Sequence, residues 1–228
     1  MRYDFDLRLK LELHRKPGET LVRLLKSFYT GDTLSVAQQL LGTLLVRSLE
    51  GERLSGIIVE TEAYLSVDDP ASHSHRGPSR KNAAMFMPAG TLYVYSIHAK
   101  YCLNIVTEAA EVGAAVLIRA LQPWEGVARM RENRGRESPR DLCSGPARLC
   151  QALVIDGSKD KLDLTNSDEV WLEQSPAAVA QHDWHITSTS RIGISSANEL
   201  QYRYFIDGHH CVSGLARHHS RKREWSFT

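Results

Sequence analysis

The sequence predicts a single mixed α+β domain. Three observations carry that prediction. Several short runs alternate apolar and polar residues with period two, other runs repeat at helical spacing, and Ala114–Leu121 is almost wholly apolar between Gly113 and Pro123. The chain has 228 residues, 42% of them hydrophobic and 24% charged, which fits one compact unit rather than a disordered chain. No window approaches the roughly 18 uninterrupted apolar residues of a membrane helix. A chain this long buries roughly 70% of its unfolded surface, so it needs no disulfide or metal to fold.

The elements follow in order. Residues 1–14 alternate without a break and read as a half-buried strand, ended by Lys16-Pro17-Gly18. Leu21, Val22, Leu24, Leu25 and Phe28 recur at helical spacing and predict a short helix. Asp32 or Thr33 caps a second helix over Val36–Leu41, which Gly42 stops. Leu44–Leu49 and Leu54–Glu62 read as a hairpin around Glu50-Gly51. Ser66–Lys81 is a polar loop between rigid elements, a natural place for function. Thr91–Ile97 and Tyr101–Thr107 read as strands joined by a tight turn, and Ala114–Leu121 as a central strand. Helices are expected over Trp124–Asn133 and Pro146–Leu153, the second with Pro146 at its first position. Val170–Glu173, Arg191–Ile194 and Tyr202–Ile206 are strand-like. No repeat or linker divides the chain.

The N-terminal run lacks the apolar h-region of a secretory signal, which argues against secretion. Cys102, Cys143, Cys150 and Cys211 are too few and too scattered for a disulfide framework and read as reduced, buried thiols. The net charge of +1 hides an asymmetry. Arg129–Arg140 holds five Arg against two Glu, and Leu215–Thr228 is equally basic, so the remaining chain is mildly acidic. Such a chain suits a polyanion bound on one side, or carries two solvated surface stretches.

Several residues have the chemistry for a site. Glu60, Glu62 and Tyr64 lie two apart on a strand and share one face. Two close carboxylates disfavour joint ionisation, and a partly buried one can take a proton from water; a salt-bridged pair at a strand end is the alternative. Tyr93 and Tyr95 share a face and can stack a nucleobase, a contact worth about 1–3 kcal/mol, or can simply cover a sheet. His73-Ser74-His75 lies in the polar loop without a third metal ligand nearby, so hydrogen bonding to a polar ligand is the better reading. Asn104 and Arg119 sit in apolar strands and each needs a partner or a ligand. Ser144, Gly145 and Arg148 open a helix whose free N–H groups suit phosphate, or form a turn. Phosphate-loop, dinucleotide and serine-hydrolase motifs are absent.

These motifs occur in a familiar order: VETEAY at Val59–Tyr64, then His73, MFMPAGTLYVY at Met85–Tyr95, CLNI at Cys102–Ile105, VLIRAL at Val116–Leu121 and DLCSGPARLCQAL at Asp141–Leu153. In these residues the chain resembles the alkyladenine (3-methyladenine) DNA glycosylases of the mammalian type, from about Phe28 to about Val212. The resemblance implies a curved, antiparallel-rich sheet surrounded by helices, with a protruding hairpin. It implies a monofunctional glycosylase that flips alkylated or deaminated purines out of duplex DNA and excises them. By the same resemblance Glu62 activates water, Arg119 helps orient it, and Tyr64 and Tyr95 sandwich the base. His73 closes the third side, Asn104 lies at the pocket floor and hinders guanine, and Tyr93 supports the pocket. Ser144, Gly145, Arg148, Lys100 and Tyr101 would meet the DNA backbone.

The chain departs from the family at the hairpin. The run Tyr95-Ser96-Ile97-His98-Ala99-Lys100-Tyr101-Cys102 is one residue shorter than usual and has no tyrosine at its tip, so Ile97 or His98 must fill the gap left by the flipped base, with His98 preferred. Double-stranded DNA with a damaged purine is the expected partner of a monomer that uses no cofactor, metal or membrane. The expected place is the cytoplasm or nucleoid of a bacterium, or the nucleus of a eukaryote. Residues 1–17 are read as a strand extension and 215–228 as a basic, phosphate-binding tail. One alternative is a non-catalytic nucleic-acid-binding module of the same fold. Another is a sugar glycosidase using Glu60 and Glu62, but that needs carboxylates facing each other about 5–9 Å apart, which same-face strand neighbours do not provide.

Overall fold

The structure is a computed structural model that describes residues 22–180, 182–214 and 226. The alternating run at the N-terminus and all but one residue of the basic tail therefore lie outside the described residues. The chain runs through α1 (Lys26–Tyr29), α2 (Thr33–Gln39), β1 (Leu44–Leu49), β2 (Glu52–Tyr64), β3 (Leu92–Ile97), β4 (Lys100–Thr107) and β5 (Ala114–Glu125). It continues through α3 (Val127–Arg134), α4 (Pro139–Cys143), α5 (Pro146–Ala152), β6 (Val170–Glu173), α6 (Ala177–Ala180), β7 (Ile186–Thr189) and β8 (Arg203–Ile206). This is the single mixed α+β domain that the alternation of patterns predicts.

The strands form one sheet in the order β3-β4-β5-β2-β1-β6, with β8 on the far half of β2 and β7 beyond it. Every described pairing is antiparallel. β2 is the axis of the molecule. Its first half pairs with β1, its second half with β8, and β5 runs along its other edge. Both strands are buried almost throughout, because helices and loops cover both faces, and Ile57, Ile58, Val59, Ile118 and Leu121 sit in the main core. Gly56 permits this contact: a Cβ there would lie 2.9 Å from that of Leu121. Register shifts at Ser55/Gly56 and around Glu60 bend β2, as bulges do.

Several boundaries follow the sequence signals. The Asp32 side chain accepts the Ser35 N–H at 2.9 Å and caps α2. Glu50 and Gly51 have positive φ of 52° and 83°, the backbone of a two-residue hairpin turn. All four cysteines are free and buried. Among the described residues no helix is long and apolar enough to cross a membrane.

Other elements differ from expectation. Among the described residues of the first predicted helix, only the stretch Lys26–Tyr29 is helical. Arg23 instead bridges Glu173, and the Leu24 N–H donates to Leu172 O at 2.8 Å, so β6 holds the segment extended. β5 runs through Pro123 to Glu125, because that proline falls at the register shift opposite Gly56, where the missing N–H is tolerated. The following helix therefore starts at Val127, after left-handed Gly126, rather than at Trp124. Arg191–Ile194 is a loop and the strand lies earlier, at Ile186–Thr189. Arg191 turns into the interior toward Asp69, and Gly193 has φ +80°, which breaks an extended run.

Candidate active site

Five elements meet at the site: the C-terminal half of β2, β5, the loop that carries His73, the β3–β4 hairpin and the loop 191–196. The strand period puts Glu60, Glu62 and Tyr64 within reach of one guanidinium. Arg119, on neighbouring β5, donates from Nε to Glu60 Oε1 at 2.9 Å and places Nη1 3.2 Å from Glu62 Oε2. Both carboxylates are fully buried.

Their surroundings then divide them. Glu60 is held by Arg119, by Arg203 at 2.6 Å, and by the Ser213 N–H and hydroxyl at 2.7 and 3.0 Å. Burial disfavours its charge, but the two guanidinium groups and these hydrogen bonds outweigh burial and hold the carboxyl at about 2. Glu62 contacts one guanidinium, that of Arg119, while Arg191 acts on it from farther away. Glu62 Oε1 accepts the Ile192 N–H at 2.7 Å and its Oε2 accepts the Tyr64 hydroxyl at 2.9 Å. Here burial wins, and the carboxyl titrates above the usual carboxylate range.

Tyr64 leads from the carboxylate to a cavity of about 260 Å³, which Tyr64 lines together with His73, Tyr93, Tyr95 and Asn104. The period-two spacing of β3 brings the Tyr93 and Tyr95 rings side by side, with centroids 5.4 Å apart and planes 30° from parallel. His73 Nδ1 lies 2.8 Å from the Tyr93 hydroxyl, and its ring meets Tyr95 edge-on at 4.7 Å. Burial lowers the His73 pKa, so the ring is neutral at pH 7. Asn104 donates from Nδ2 to Tyr93 O at 3.0 Å, spanning β4 to β3.

The hairpin tip sits at the mouth. Ile97 is half exposed and lines the cavity rim. His98 and Ala99 occupy the two central turn positions with φ of 49° and 58°. On the other side of the hairpin a second groove, of about 550 Å³, is lined by Lys100, Tyr101, Arg134 and Arg148. Ser144 and Gly145 do not line it. The Ser144 hydroxyl instead turns inward and donates to Cys211 O. Two arginines of the basic run at 129–140 are matched by carboxylates: Arg129 pairs with Glu50, and Arg131 with Glu137.

Sequence reasoning missed several groups at the site. Asn82 donates to His73 O at 2.7 Å and to Gly77 O at 3.1 Å, fixing the loop that carries His73. Pro70, Ala71, Met85 and the 193–196 segment complete the cavity wall. Arg203 and Ser213 come together on Glu60 from the far C-terminal end of the fold, with no local signal to announce them. His209, His210 and Cys211 place possible metal-binding atoms within 4.8 Å of one another. His209, however, takes the Cys211 N–H on Nδ1 and bonds Gln122 Oε1 through Nε2, so both its nitrogens are engaged.

A buried carboxylate with an arginine beside it, next to a cavity lined by aromatic rings, is chemistry able to activate water beside a planar ligand. The chain belongs to the methylpurine-DNA glycosylase family, whose profile matches residues 27–210. It is 48% identical over 209 residues to a protein of Rhodopirellula baltica provisionally named a 3-methyladenine DNA glycosylase, covering 90% of this chain and 88% of that one. It is also 43% identical to the DNA-3-methyladenine glycosylase of Mus musculus, over 88% of this chain and 64% of the mouse protein. The human protein of the same name is 41% identical, over 88% of this chain and 71% of that one. Membership makes the chain an enzyme, a hydrolase of N-glycosidic bonds that acts on DNA.

Proposed function

We propose that this enzyme flips alkylated or deaminated purines out of duplex DNA into the Tyr64–Tyr95 cavity and excises them with a water activated by Glu62. The observation that carries this reading is the 2.9 Å hydrogen bond from the Tyr64 hydroxyl to Glu62, which joins the buried carboxylate to a wall of the cavity. A carboxylate offers about four acceptor positions. Arg119 and Tyr64 take those of Oε2 and Ile192 takes one on Oε1, leaving one, among the described residues, for a water aimed at the sugar C1′. Glu62, ionised, accepts a proton from that water as the C1′–N bond breaks, and its charge favours the oxocarbenium character on the sugar. The electron pair of the broken bond leaves with the base. A 3- or 7-methylated purine is already cationic and departs neutral. Hypoxanthine or ethenoadenine needs a proton as it leaves.

In this reading Tyr64 and Tyr95 stack the base, His73 closes the pocket beside them, and Tyr93 backs His73. Asn104, which lines the cavity, hinders guanine through its 2-amino group. Ile97 and His98 fill the gap in the duplex, and Lys100, Tyr101 and Arg148 meet phosphates through the second groove. The protein works as a monomer.

The test is a panel of duplexes carrying 3-methyladenine, 7-methylguanine, hypoxanthine or ethenoadenine, with released base measured by chromatography. Release of free base with an intact abasic strand is expected. No released base from any duplex contradicts the reading, as does a borohydride-trapped protein–DNA adduct, which marks an amine nucleophile instead of water. The sugar-glycosidase alternative needs Glu60 as its second carboxylate, and Glu60 is enclosed by Arg119, Arg203 and Ser213.

A further inference from the structure

Behind Tyr64 lies a buried ion pair that the proposed chemistry does not use. Arg191 grips Asp69 with two prongs, Nη1 to Oδ2 at 2.7 Å and Nη2 to Oδ1 at 2.6 Å, and both side chains are wholly buried. Arg191 Nη1 also donates to Ala63 O at 2.9 Å, and Asp69 accepts the Leu65 N–H at 2.9 Å. The guanidinium carbon stands 4.6 Å from the centroid of the Tyr64 ring. Tyr64 lines the cavity and Arg191 does not, so the cation sits against the ring from outside the cavity. A buried ion pair is weak evidence for stability, since apolar groups of the same volume serve as well or better. Its placement against one face of a cavity ring is the feature to account for.

An aromatic ring attracts cations to both faces through its quadrupole. A cation already on one face competes for that attraction and repels a second positive charge across the ring. Asp69 offsets part of this field. Methylated purines bring a positive charge to the open face of Tyr64, whereas ethenoadenine and hypoxanthine are neutral. We infer that the Arg191–Asp69 pair determines specificity, setting through Tyr64 how strongly the cavity prefers a cationic over a neutral base. The inference rests on the proposed function, in that the flipped base must stack on Tyr64. Arg191 is a positioning residue in this role and touches no reacting atom.

The experiment compares single-turnover release of 7-methylguanine and of ethenoadenine from otherwise identical duplexes. Wild type, Arg191→Gln, Asp69→Asn and Arg191→Lys are each measured, and the readout is the ratio of the two rates. Measured below saturating enzyme, so that capture of the base counts as well as its departure, Arg191→Gln removes the cation and is expected to raise the 7-methylguanine to ethenoadenine ratio by up to roughly three- to ten-fold, the scale of one cation–π contact. Asp69→Asn leaves the cation uncompensated and is expected to lower the ratio by a similar factor. Arg191→Lys keeps the charge and is expected to hold the ratio near wild type. A purely structural role slows both bases and moves both charge-changing variants the same way or not at all, and either result overturns the inference. Thermal melting establishes that each variant is folded at the assay temperature; should one fold poorly, the sign of the other decides alone. Failure of the wild-type protein to release either base overturns the functional reading itself. Wild-type release without opposite-signed shifts overturns only the role of the pair.

Discussion

Glu60 and Glu62 lie two residues apart on β2 and share the guanidinium of Arg119, yet the fold pushes their proton affinities in opposite directions. Arg203 and Ser213 make the difference, because they approach Glu60 alone. Glu60 is a fixed anion that holds Arg119 in place. Glu62 is the carboxyl with capacity to exchange a proton.

Glu60→Gln removes an anion that two buried guanidinium groups need. The variant is expected to lose about 3–5 kcal/mol of stability in denaturant unfolding, the cost of leaving a buried charge unmatched. The pH dependence follows from the sign of the shift. Glu60 folded titrates near 2, below its unfolded value of about 4.3, so its contribution is present above the unfolded pKa and disappears as pH falls toward 2. Acid unfolding of the wild type is expected to steepen in that window and that of Glu60→Gln to be flatter. Equal stability of the two proteins at neutral pH contradicts the structural role.

The raised pKa of Glu62 predicts a pH–rate profile. Water activation needs the ionised carboxylate, so release of a cationic base rises with pH through a midpoint above the usual 4.3 or so and then levels. A neutral base such as hypoxanthine must also gain a proton, so its rate falls again at higher pH. Single-turnover release of 7-methylguanine and hypoxanthine across about pH 5–9 checks both limbs. A flat profile for the cationic base removes Glu62 titration from the rate.

The hairpin tip makes a separate prediction. Ala99 has a left-handed backbone, φ 58°, without being glycine. Ala99→Gly is expected to stabilise the fold by up to about 1 kcal/mol by thermal melting. His98→Ala and Ile97→Ala are expected to weaken binding to a lesion in duplex more than they slow excision from a single strand, where no gap needs filling. Equal damage on both substrates argues against a wedge.

Much of the sheet is legible in the sequence because turn signals bound β1 to β4, β5 is an almost wholly apolar run, and these strands lie next to one another in space. The cavity rings are legible from their spacing: Tyr93 and Tyr95 obey the strand period, as do Glu62 and Tyr64. The contacts that separate Glu60 from Glu62 are not, because they come from residues 143 and 153 positions away and depend on which segment reaches β2. Arg191 reads locally as part of a strand for a related reason. Its side chain is drawn inward by Asp69, 122 residues earlier, which no local pattern encodes. Pro123 misleads because a proline stops a strand only where its missing N–H is needed, and opposite Gly56 it is not.

The most direct measurement compares Glu62→Gln with wild type on one ethenoadenine duplex, following binding and single-turnover release in the same preparation. Binding within a few-fold of wild type and release slower by at least about a thousand-fold are expected, since general-base catalysis contributes up to about 10⁴. Near-normal release by a protein that binds normally contradicts a general-base role for the carboxylate beneath Tyr64.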